Sequence, residues 1–111
     1  MRCLIVDDNP RFLGAAKALL ERDGLQVVVA SSSAEAFDHV QERQPDVVLV
    51  DIYLGDESGF EMTRRLIDVR VILISTHSEA DFEELIAQSP AAGFIPKEAL
   101  SADAISATLG R

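Results

Sequence analysis

The side chains best suited to chemistry in this sequence stand at the ends of apolar runs. They are Asp7, Asp8, Asp51, Ser75 and Lys97. Carboxylates bind hard divalent cations such as Mg²⁺, and a carboxylate can also attack phosphorus to form an aspartyl phosphate. A lysine and a hydroxyl can hold phosphoryl oxygens, because phosphoryl transfer depends mainly on positioning and charge neutralisation. The set therefore indicates a phosphoryl-transfer site with Asp51 as nucleophile, provided that the fold brings these residues together.

Each of these residues also has an interpretation that involves no chemistry. The adjacent carboxylates could cap the helix that follows, but Asn9 already supplies a cap and Pro10 suits the first helical position. The third aspartate could be a turn residue, the serine could hydrogen-bond nearby backbone, and the lysine could be an ordinary surface lysine. The choice between the two interpretations rests on the elements that position these side chains.

Short apolar runs predict the strands of a sheet. They cover residues 2–6, 26–30, 46–50, 71–75 and 92–95. Most of the runs are unbroken rather than alternating, which is typical of parallel strands that are covered on both faces. The segments between the runs have helical spacing and are long enough for the crossover helices that parallel strands require.

Capping signals and apolar spacing predict a helix after each strand. Asn9 and Ser32 precede the first two helices, residues 59–67 form the third, Ser78 precedes the fourth and Ser101 caps the fifth. The apolar residues predicted to face the core are Phe12, Leu13, Ala16, Leu19 and Leu20 in the first helix, Ala36, Phe37 and Val40 in the second, Phe82, Leu85 and Ile86 in the fourth, and Ala104, Ile105 and Leu109 in the fifth.

We therefore predict an α/β fold over residues 1–111, a single domain whose βα units form a doubly wound, flavodoxin-like parallel sheet. The expected strand order is 2-1-3-4-5. In such sheets, ligands bind at the carboxyl ends of the strands. Because the first and third strands are neighbours in that order, their three carboxylates would meet there, and a divalent cation such as Mg²⁺ would relieve the repulsion between them.

The composition, and the absence of certain sequence patterns, argue against several classes of function. The 111 residues carry a net charge of −9, which disfavours direct contact with nucleic acid or with an anionic membrane. The single cysteine can form no internal disulfide, and no apolar stretch is long enough to span a membrane. The turn after the first strand has no GxGxxG pattern, which argues against dinucleotide binding. We expect a soluble, cytoplasmic protein.

Four segments together resemble the receiver domain of two-component response regulators. They are LIVDDNP, VVLVDIYLGDESGFE, VILIST and AGFIPK, and they lie in register over most of the chain. The resemblance implies a signalling domain rather than an enzyme, one that catalyses only its own phosphorylation and dephosphorylation. Such a domain takes a phosphoryl group from a phosphohistidine on a sensor histidine kinase or phosphotransfer protein. It then changes the surface formed by its fourth helix, fifth strand and fifth helix.

The resemblance also assigns roles to individual residues around the acidic cluster. Asp51 is the expected phosphoacceptor. Together with Asp8 and the backbone carbonyl of Tyr53, it is expected to bind Mg²⁺ directly. Asp7 is expected to help hold the ion through water.

Further roles fall on residues that follow the fourth and fifth strands or lie within them. Ser75 and Lys97 are expected to hold the phosphoryl oxygens, and Ser75 and Phe94 are expected to change position when the domain switches. Phe94 could instead be a static core residue, and His77, which flanks the site, could be an ordinary exposed loop histidine.

The sequence departs from the family pattern on both sides of the expected site. Gly55 stands four residues after the expected phosphoacceptor, where the family usually has a proline, which puts the rigidity of that loop in doubt. The lysine is preceded by Pro96 and followed by Glu98, whereas the family usually has a proline after the lysine. Because a non-proline cis peptide bond costs about 3 kcal/mol, we expect a trans bond between Lys97 and Glu98.

Other functions and partners stay open at this point. One alternative is a phosphorylation-independent binding module, and another is a metal-dependent phosphatase, although such enzymes usually carry a second acid where this chain has Tyr53. The segment AGFIPKEALSADAI resembles receivers that precede a LuxR-type DNA-binding domain, so such a domain could lie outside this chain. The resemblance leaves open whether phosphorylation promotes a homodimer.

Overall fold

The structure, a computed structural model that describes residues 1–110, contains a five-stranded parallel sheet. Its strands are β1 (Arg2–Val6), β2 (Gln26–Ala30), β3 (Val47–Asp51), β4 (Arg70–Ser75) and β5 (Gly93–Pro96). Their order in the sheet is β2-β1-β3-β4-β5, and every neighbouring pair is parallel. The predicted fold class and strand order are confirmed, with strand ends that differ by at most one residue. Residue 111, the last of the predicted domain, lies outside the described residues.

Helices connect the strands and cover both faces of the sheet. They are α1 (Pro10–Arg22), α2 (Ser33–Glu42), α3 (Gly59–Arg65), α4 (Glu83–Gln88) and α5 (Ala102–Thr108). Short 3₁₀ turns at Glu79–Phe82 and Lys97–Ala99 precede α4 and α5. No helix of residues 1–110 is both long and apolar enough to cross a membrane.

Side-chain caps begin three of the helices as the sequence predicts. Asn9 accepts hydrogen bonds from the N–H groups of Arg11 and Phe12, and Ser32 and Ser101 each cap the helix that follows. A cap of this kind satisfies N–H groups that have no partner within the helix. Helix α3 ends at Arg65 rather than at the predicted residue 67.

The fourth helical segment differs most from the prediction. Ser78 makes no side-chain cap, and a 3₁₀ turn intervenes before α4 begins at Glu83. The predicted inward position of Leu85 is wrong, because that side chain is 47 % exposed. The predicted inward positions of Phe82 and Ile86, four residues apart, are confirmed, and they leave Leu85 on the outward side of the helix.

Two hydrophobic clusters, one on each face of the sheet, explain the unbroken apolar runs. Successive strand residues point to opposite faces, so each run supplies both clusters. One cluster joins Leu4, Val48 and Leu73 to side chains of α2, α3 and the segment before α4, including Ala36, Phe60 and Phe82. The other joins Ile5, Leu49 and Ile72 to side chains of α1 and α5, including Leu13, Leu20 and Ile105. Burial on both faces holds the strand ends in fixed positions.

Candidate functional site

The parallel register of β1 and β3 brings the acidic residues together. Val6 of β1 pairs with Val50 of β3, so Asp7 and Asp51 follow at neighbouring strand ends. Asp7 is fully buried and Asp51 is 5 % exposed, whereas Asp8 is an exposed residue. Carboxylate oxygens of the three residues all lie within 4.8 Å of one another. Three anionic groups at this separation require a compensating positive charge.

Lys97 supplies part of that charge from the edge strand of the sheet. Pro96 pairs with Ser75 at the ends of β5 and β4, and Lys97 follows directly. Its Nζ lies 2.6 Å from Asp7 Oδ2 and 3.3 Å from Asp51 Oδ2, and its side chain is only 11 % exposed. The lysine is therefore part of a buried ion-pair network and is not an ordinary surface lysine.

Burial and neighbouring charge set the protonation of this network. Burial raises the pKa of Asp51, and the negative charge of Asp7 raises it further. Lys97 and the hydrogen bond from the Tyr53 N–H lower it, but not enough to cancel the rise, and the pKa of Asp51 is raised to about 6. For Lys97, burial alone would lower the pKa, but the hydrogen bond to Asp7 and the negative charges of Asp51 and Asp7 outweigh burial and raise it. One ammonium group thus compensates the carboxylates only in part.

The donor set fits a hard divalent cation. All three carboxylates offer oxygen, the ligand that Mg²⁺ prefers, and Mg²⁺ usually binds one or two carboxylates and keeps several waters. Both oxygens of Asp7 are already engaged, since Oδ1 accepts from the Asn9 N–H at 2.9 Å and Oδ2 lies against Lys97. Asp8 is exposed, and the oxygens of Asp51 have only longer contacts, each at 3.3 Å, with the Tyr53 N–H and the Lys97 ammonium, so these two carboxylates are better suited to direct binding.

A small hairpin follows β3 and forms one wall of the site. Residues Tyr53–Leu54 pair antiparallel with Glu57–Ser58, and Gly55 and Asp56 form the turn. Gly55 has φ +58°, which proline cannot adopt because its ring fixes φ near −65°. The proline that the family usually has at this position is therefore incompatible with this turn. The sequence analysis missed the hairpin, although a Gly-Asp turn between two short strands was available as a signal.

Gly59 clamps the start of α3 to the phosphoacceptor candidate. A Cβ at this position would overlap the backbone carbonyl oxygen of Asp51, so only glycine fits. The Gly59 N–H donates to the Ile52 carbonyl at 2.8 Å, and Thr63 Oγ1 donates to the Gly59 carbonyl at 2.7 Å. The backbone that carries Asp51 is thus fixed by a helix as well as by the sheet.

Two hydrogen bonds between Ser33 and Glu57 connect the hairpin to helix α2. The Ser33 N–H donates to Glu57 Oε1 at 3.3 Å, and the Ser33 hydroxyl donates to Glu57 Oε2. These hydrogen bonds lower the pKa of Glu57, because they favour its ionised form. The hairpin wall therefore rests on α2 through one exposed carboxylate.

The hydroxyl of Ser75 lies at the end of β4 and contacts His77. Ser75 is 1 % exposed, and its Oγ accepts from the His77 N–H at 3.0 Å and lies 3.4 Å from His77 Nδ1. This is the local backbone contact that a strand-end hydroxyl often makes. The structure thus places Ser75 near the other predicted site residues and in contact with His77.

Aromatic side chains line the outer side of the site, where the sequence predicts His77, and the contact with Phe82 was not predicted. The rings of Tyr53, His77 and Phe82 lie in mutual edge-to-face contact, with 5.8 Å between each pair of centroids. Tyr53 is 56 % exposed, while its N–H donates to Asp51 Oδ1 at 3.3 Å. Phe94 lies in the buried core on β5, opposite Leu73 of β4.

The peptide bond after Lys97 was predicted to be trans. No cis peptide bond occurs in residues 1–110, so the bond between Lys97 and Glu98 is trans, as predicted. The short 3₁₀ turn Lys97–Ala99 leads from this bond into α5.

The sequence is similar to those of known response regulators and transcriptional regulators. "Response regulator GacA" of Pseudomonas viridiflava is 35 % identical over 96 % of this chain and 53 % of its own length. "Transcriptional activator protein ExaE" of Pseudomonas putida is 39 % identical over 96 % of this chain and 53 % of its own length. The chain therefore spans about half the length of these curated relatives.

The solved structures show the same architecture. The crystal structure of a response regulator receiver domain protein from Clostridium thermocellum superposes with a TM-score of 0.82, at 29 % identity, over 97 % of this chain and 90 % of that one. Residues 3–109 match the family described as the response regulator receiver domain. With nearly the whole chain matched and with the same fold, this protein belongs to the response regulator receiver domain family.

Proposed function

We propose that this receiver domain accepts a phosphoryl group on Asp51 from a phosphohistidine, in a reaction that depends on Mg²⁺. The phosphohistidine would belong to a sensor histidine kinase or a phosphotransfer protein. The observation that carries the proposal is the position of Asp51, a nearly buried carboxylate with a lysine ammonium at 3.3 Å and two further carboxylates beside it. Such a partner would place the protein in the cytoplasm.

The chemistry requires one bond exchange at phosphorus. An oxygen of ionised Asp51 forms the new O–P bond while the N–P bond of the phosphohistidine breaks, and its electron pair returns to the imidazole nitrogen. Lys97 lies where its ammonium can neutralise a phosphoryl oxygen, and the Tyr53 N–H holds the carboxylate from the other side. Positioning and charge neutralisation of this kind account for most catalysis of phosphoryl transfer.

Asp8 and Asp51 would hold Mg²⁺ directly together with the backbone carbonyl of Tyr53, and Asp7 would hold it through water. The bound ion would supply charge neutralisation for the oxygens of the incoming group. The exposure of Asp8 leaves an open side for water and for those oxygens. Asp7 suits the outer role because its oxygens already contact Asn9 and Lys97.

The proposed signal is a change in the surface formed by α4, β5 and α5. The Ser75 hydroxyl, which now contacts His77, would turn toward a phosphoryl group on Asp51, and Phe94, which already lies in the core, would change its position with it. Helix α4 has no fully buried residue of its own, so its attachment to the core depends on Phe82 and a few partly buried neighbours. A weakly attached element of this kind can change position at low cost.

The output is proposed to lie outside this chain. The chain spans about half the length of relatives that include a transcriptional activator protein, so a DNA-binding domain, of the LuxR type, would carry the contact with DNA. The net charge of −9 suits a domain that makes no direct contact with nucleic acid. Phosphorylation would then promote a homodimer, through the face formed by α4 and α5 or through the face formed by α1 and α5.

The test is intact-mass spectrometry after incubation with acetyl phosphate, with and without Mg²⁺. We expect one added phosphoryl group per chain with Mg²⁺, none after its removal, and none for Asp51→Asn. Asp56→Asn, which alters an exposed aspartate of the hairpin turn, is the matched control and should behave as wild type. An unmodified wild-type protein would support the phosphorylation-independent binding module, and sustained turnover of a phosphomonoester would support the phosphatase.

A further inference from the structure

The ammonium group of Lys97 has a third neighbour besides the two carboxylates. Its Nζ lies over the ring of Phe12, 4.6 Å from the ring centroid. The ammonium thus contacts the carboxylates of Asp7 and Asp51 and also the face of the Phe12 ring. A cation over an aromatic face is attracted by the negative potential of the ring.

The start of helix α1 determines where this ring stands. Phe12 is the third residue of α1, and its N–H donates to Asn9 Oδ1 at 3.3 Å in the helix cap. Its side chain is half-buried and packs against the cluster that contains Leu13. The ring is therefore anchored by the same short segment that carries the acidic pair.

The Phe12 ring can restrict the Lys97 side chain, which would otherwise adopt several conformations. Its flexible four-carbon side chain has many rotamers, and it follows β5, the edge strand of the sheet, where solvent is close. An aliphatic side chain at position 12 could fill the space but would offer no attraction to the charge. The aromatic ring, in contrast, attracts the ammonium.

The geometry points to Phe12 as a positioning residue for phosphoryl transfer, one whose ring face keeps the Lys97 ammonium directed at Asp51. This inference rests on the proposed function of Asp51. Phe12 itself touches none of the reacting atoms and acts through the lysine. The same role can be filled by another aromatic ring at this position but not by leucine.

The first test reads the contact directly in Mg²⁺-free protein. Protons next to Nζ of Lys97 should show an upfield NMR shift from the ring current of Phe12, assigned by comparison with Lys97→Arg. The shift should persist in Phe12→Tyr and disappear in Phe12→Leu. A wild-type Lys97 signal without the upfield shift would overturn the inference, whatever the stability of the variants.

The second test measures the rate of phosphorylation by acetyl phosphate in the presence of Mg²⁺. We expect Phe12→Leu to be about fivefold slower, which corresponds to about 1 kcal/mol, and Phe12→Tyr to stay near the wild-type rate. The matched control is Phe37→Leu, which removes a second cation–π contact, with Arg65, also at 4.6 Å from ring centroid to cation. That contact joins α2 to α3 and does not involve Lys97, so its loss should leave the rate unchanged.

The outcomes separate this inference from the proposed function. If wild type forms the adduct but Phe12→Leu reacts equally fast, or if Phe12→Tyr slows as much as Phe12→Leu, the positioning role is wrong and the phosphoacceptor role stands. If wild type forms no adduct, the proposed function fails. In that case the NMR shift still decides whether the ring holds the ammonium.

Discussion

The two sides of the acidic site are built differently. On one side, Asp7 is buried and pairs with Lys97, whose side chain is 11 % exposed and lies over the ring of Phe12. On the other side, Asp8 and Tyr53 are exposed, and the hairpin that carries Tyr53 rests on α2 through Ser33 and Glu57. The buried side holds an ammonium beside Asp51, while the exposed side leaves Asp8 accessible to solvent.

This difference follows from the sheet. Strands β1 and β3 are covered on both faces by hydrophobic clusters. Side chains at the ends of these strands therefore lie in fixed positions and in a low-dielectric environment. The hairpin has only two residues in each strand and belongs to no larger sheet. Changes on the buried side should therefore alter stability strongly, and changes on the exposed side should alter mainly ligand binding.

The largest effect on stability is expected from Lys97→Met. The change leaves Asp7 and Asp51 without their ammonium partner in a buried site, so the free energy of unfolding at neutral pH should fall by about 3 kcal/mol. Arg64→Met is the matched control, because it removes an ion pair with Glu61 whose side chains are 51 % and 66 % exposed and should cost less than about 0.5 kcal/mol. Urea denaturation measures the free energy of unfolding of both variants. A loss for Lys97→Met as small as that for Arg64→Met would contradict the difference between the two sides of the site.

A smaller effect is expected from the ionisation of Asp51. Its pKa is about 6 in the folded protein against an ordinary value of 3.8, so the folded state holds the proton more strongly than the unfolded state. In Mg²⁺-free protein, the free energy of unfolding should therefore fall by about 1–2 kcal/mol as pH rises from about 4 to about 7. Asp51→Asn should remove this fall, whereas Asp38→Asn, at an exposed position of α2, should keep it.

Urea denaturation of wild type and Asp51→Asn across this pH range measures how the ionisation of Asp51 changes stability. A wild-type stability that rises through the same range, relative to Asp51→Asn, would mean that Asp51 is stabilised as a carboxylate. Added Mg²⁺ should raise wild-type stability at neutral pH by mass action and leave Asp51→Asn nearly unchanged.

The smallest effect on stability is expected on the exposed side, from Glu57→Gln. Loss of the ionised hydrogen bonds from Ser33 should loosen the hairpin and weaken Mg²⁺ binding a few-fold, while the free energy of unfolding changes by less than about 1 kcal/mol. The single tyrosine, Tyr53, lies on the hairpin, and the chain has no tryptophan, so tyrosine fluorescence can follow the Mg²⁺ titration. Glu61→Gln on α3 is the control, and equal affinities for the two variants would show that the hairpin needs no contact with α2.

The sequence predicts the buried side of the site better than the exposed side. The apolar runs specify a parallel sheet, and the strand order then brings Asp7 beside Asp51, because strand ends in such a sheet have fixed neighbours. The caps at Asn9, Ser32 and Ser101 depend only on local residues and were predictable for that reason.

Other features depend on choices that no local pattern encodes. The outward position of Leu85 follows from a 3₁₀ turn that shifts the phase of the helix after it. The contact between Phe12 and Lys97 joins α1 to the end of β5 and requires a particular rotamer of each side chain. The orientation of the Ser75 hydroxyl toward His77 is likewise a rotamer choice at the end of a correctly predicted strand.

The central claim is that Asp51 is the phosphoacceptor, and tandem mass spectrometry of the phosphorylated protein tests it most directly. The chain would be treated with acetyl phosphate and Mg²⁺, digested, and the added phosphoryl group mapped to a single residue. The account predicts modification of Asp51 alone, lost when Mg²⁺ is removed. Modification of Asp8 or His77 instead, or an adduct that forms equally well without Mg²⁺, would contradict it.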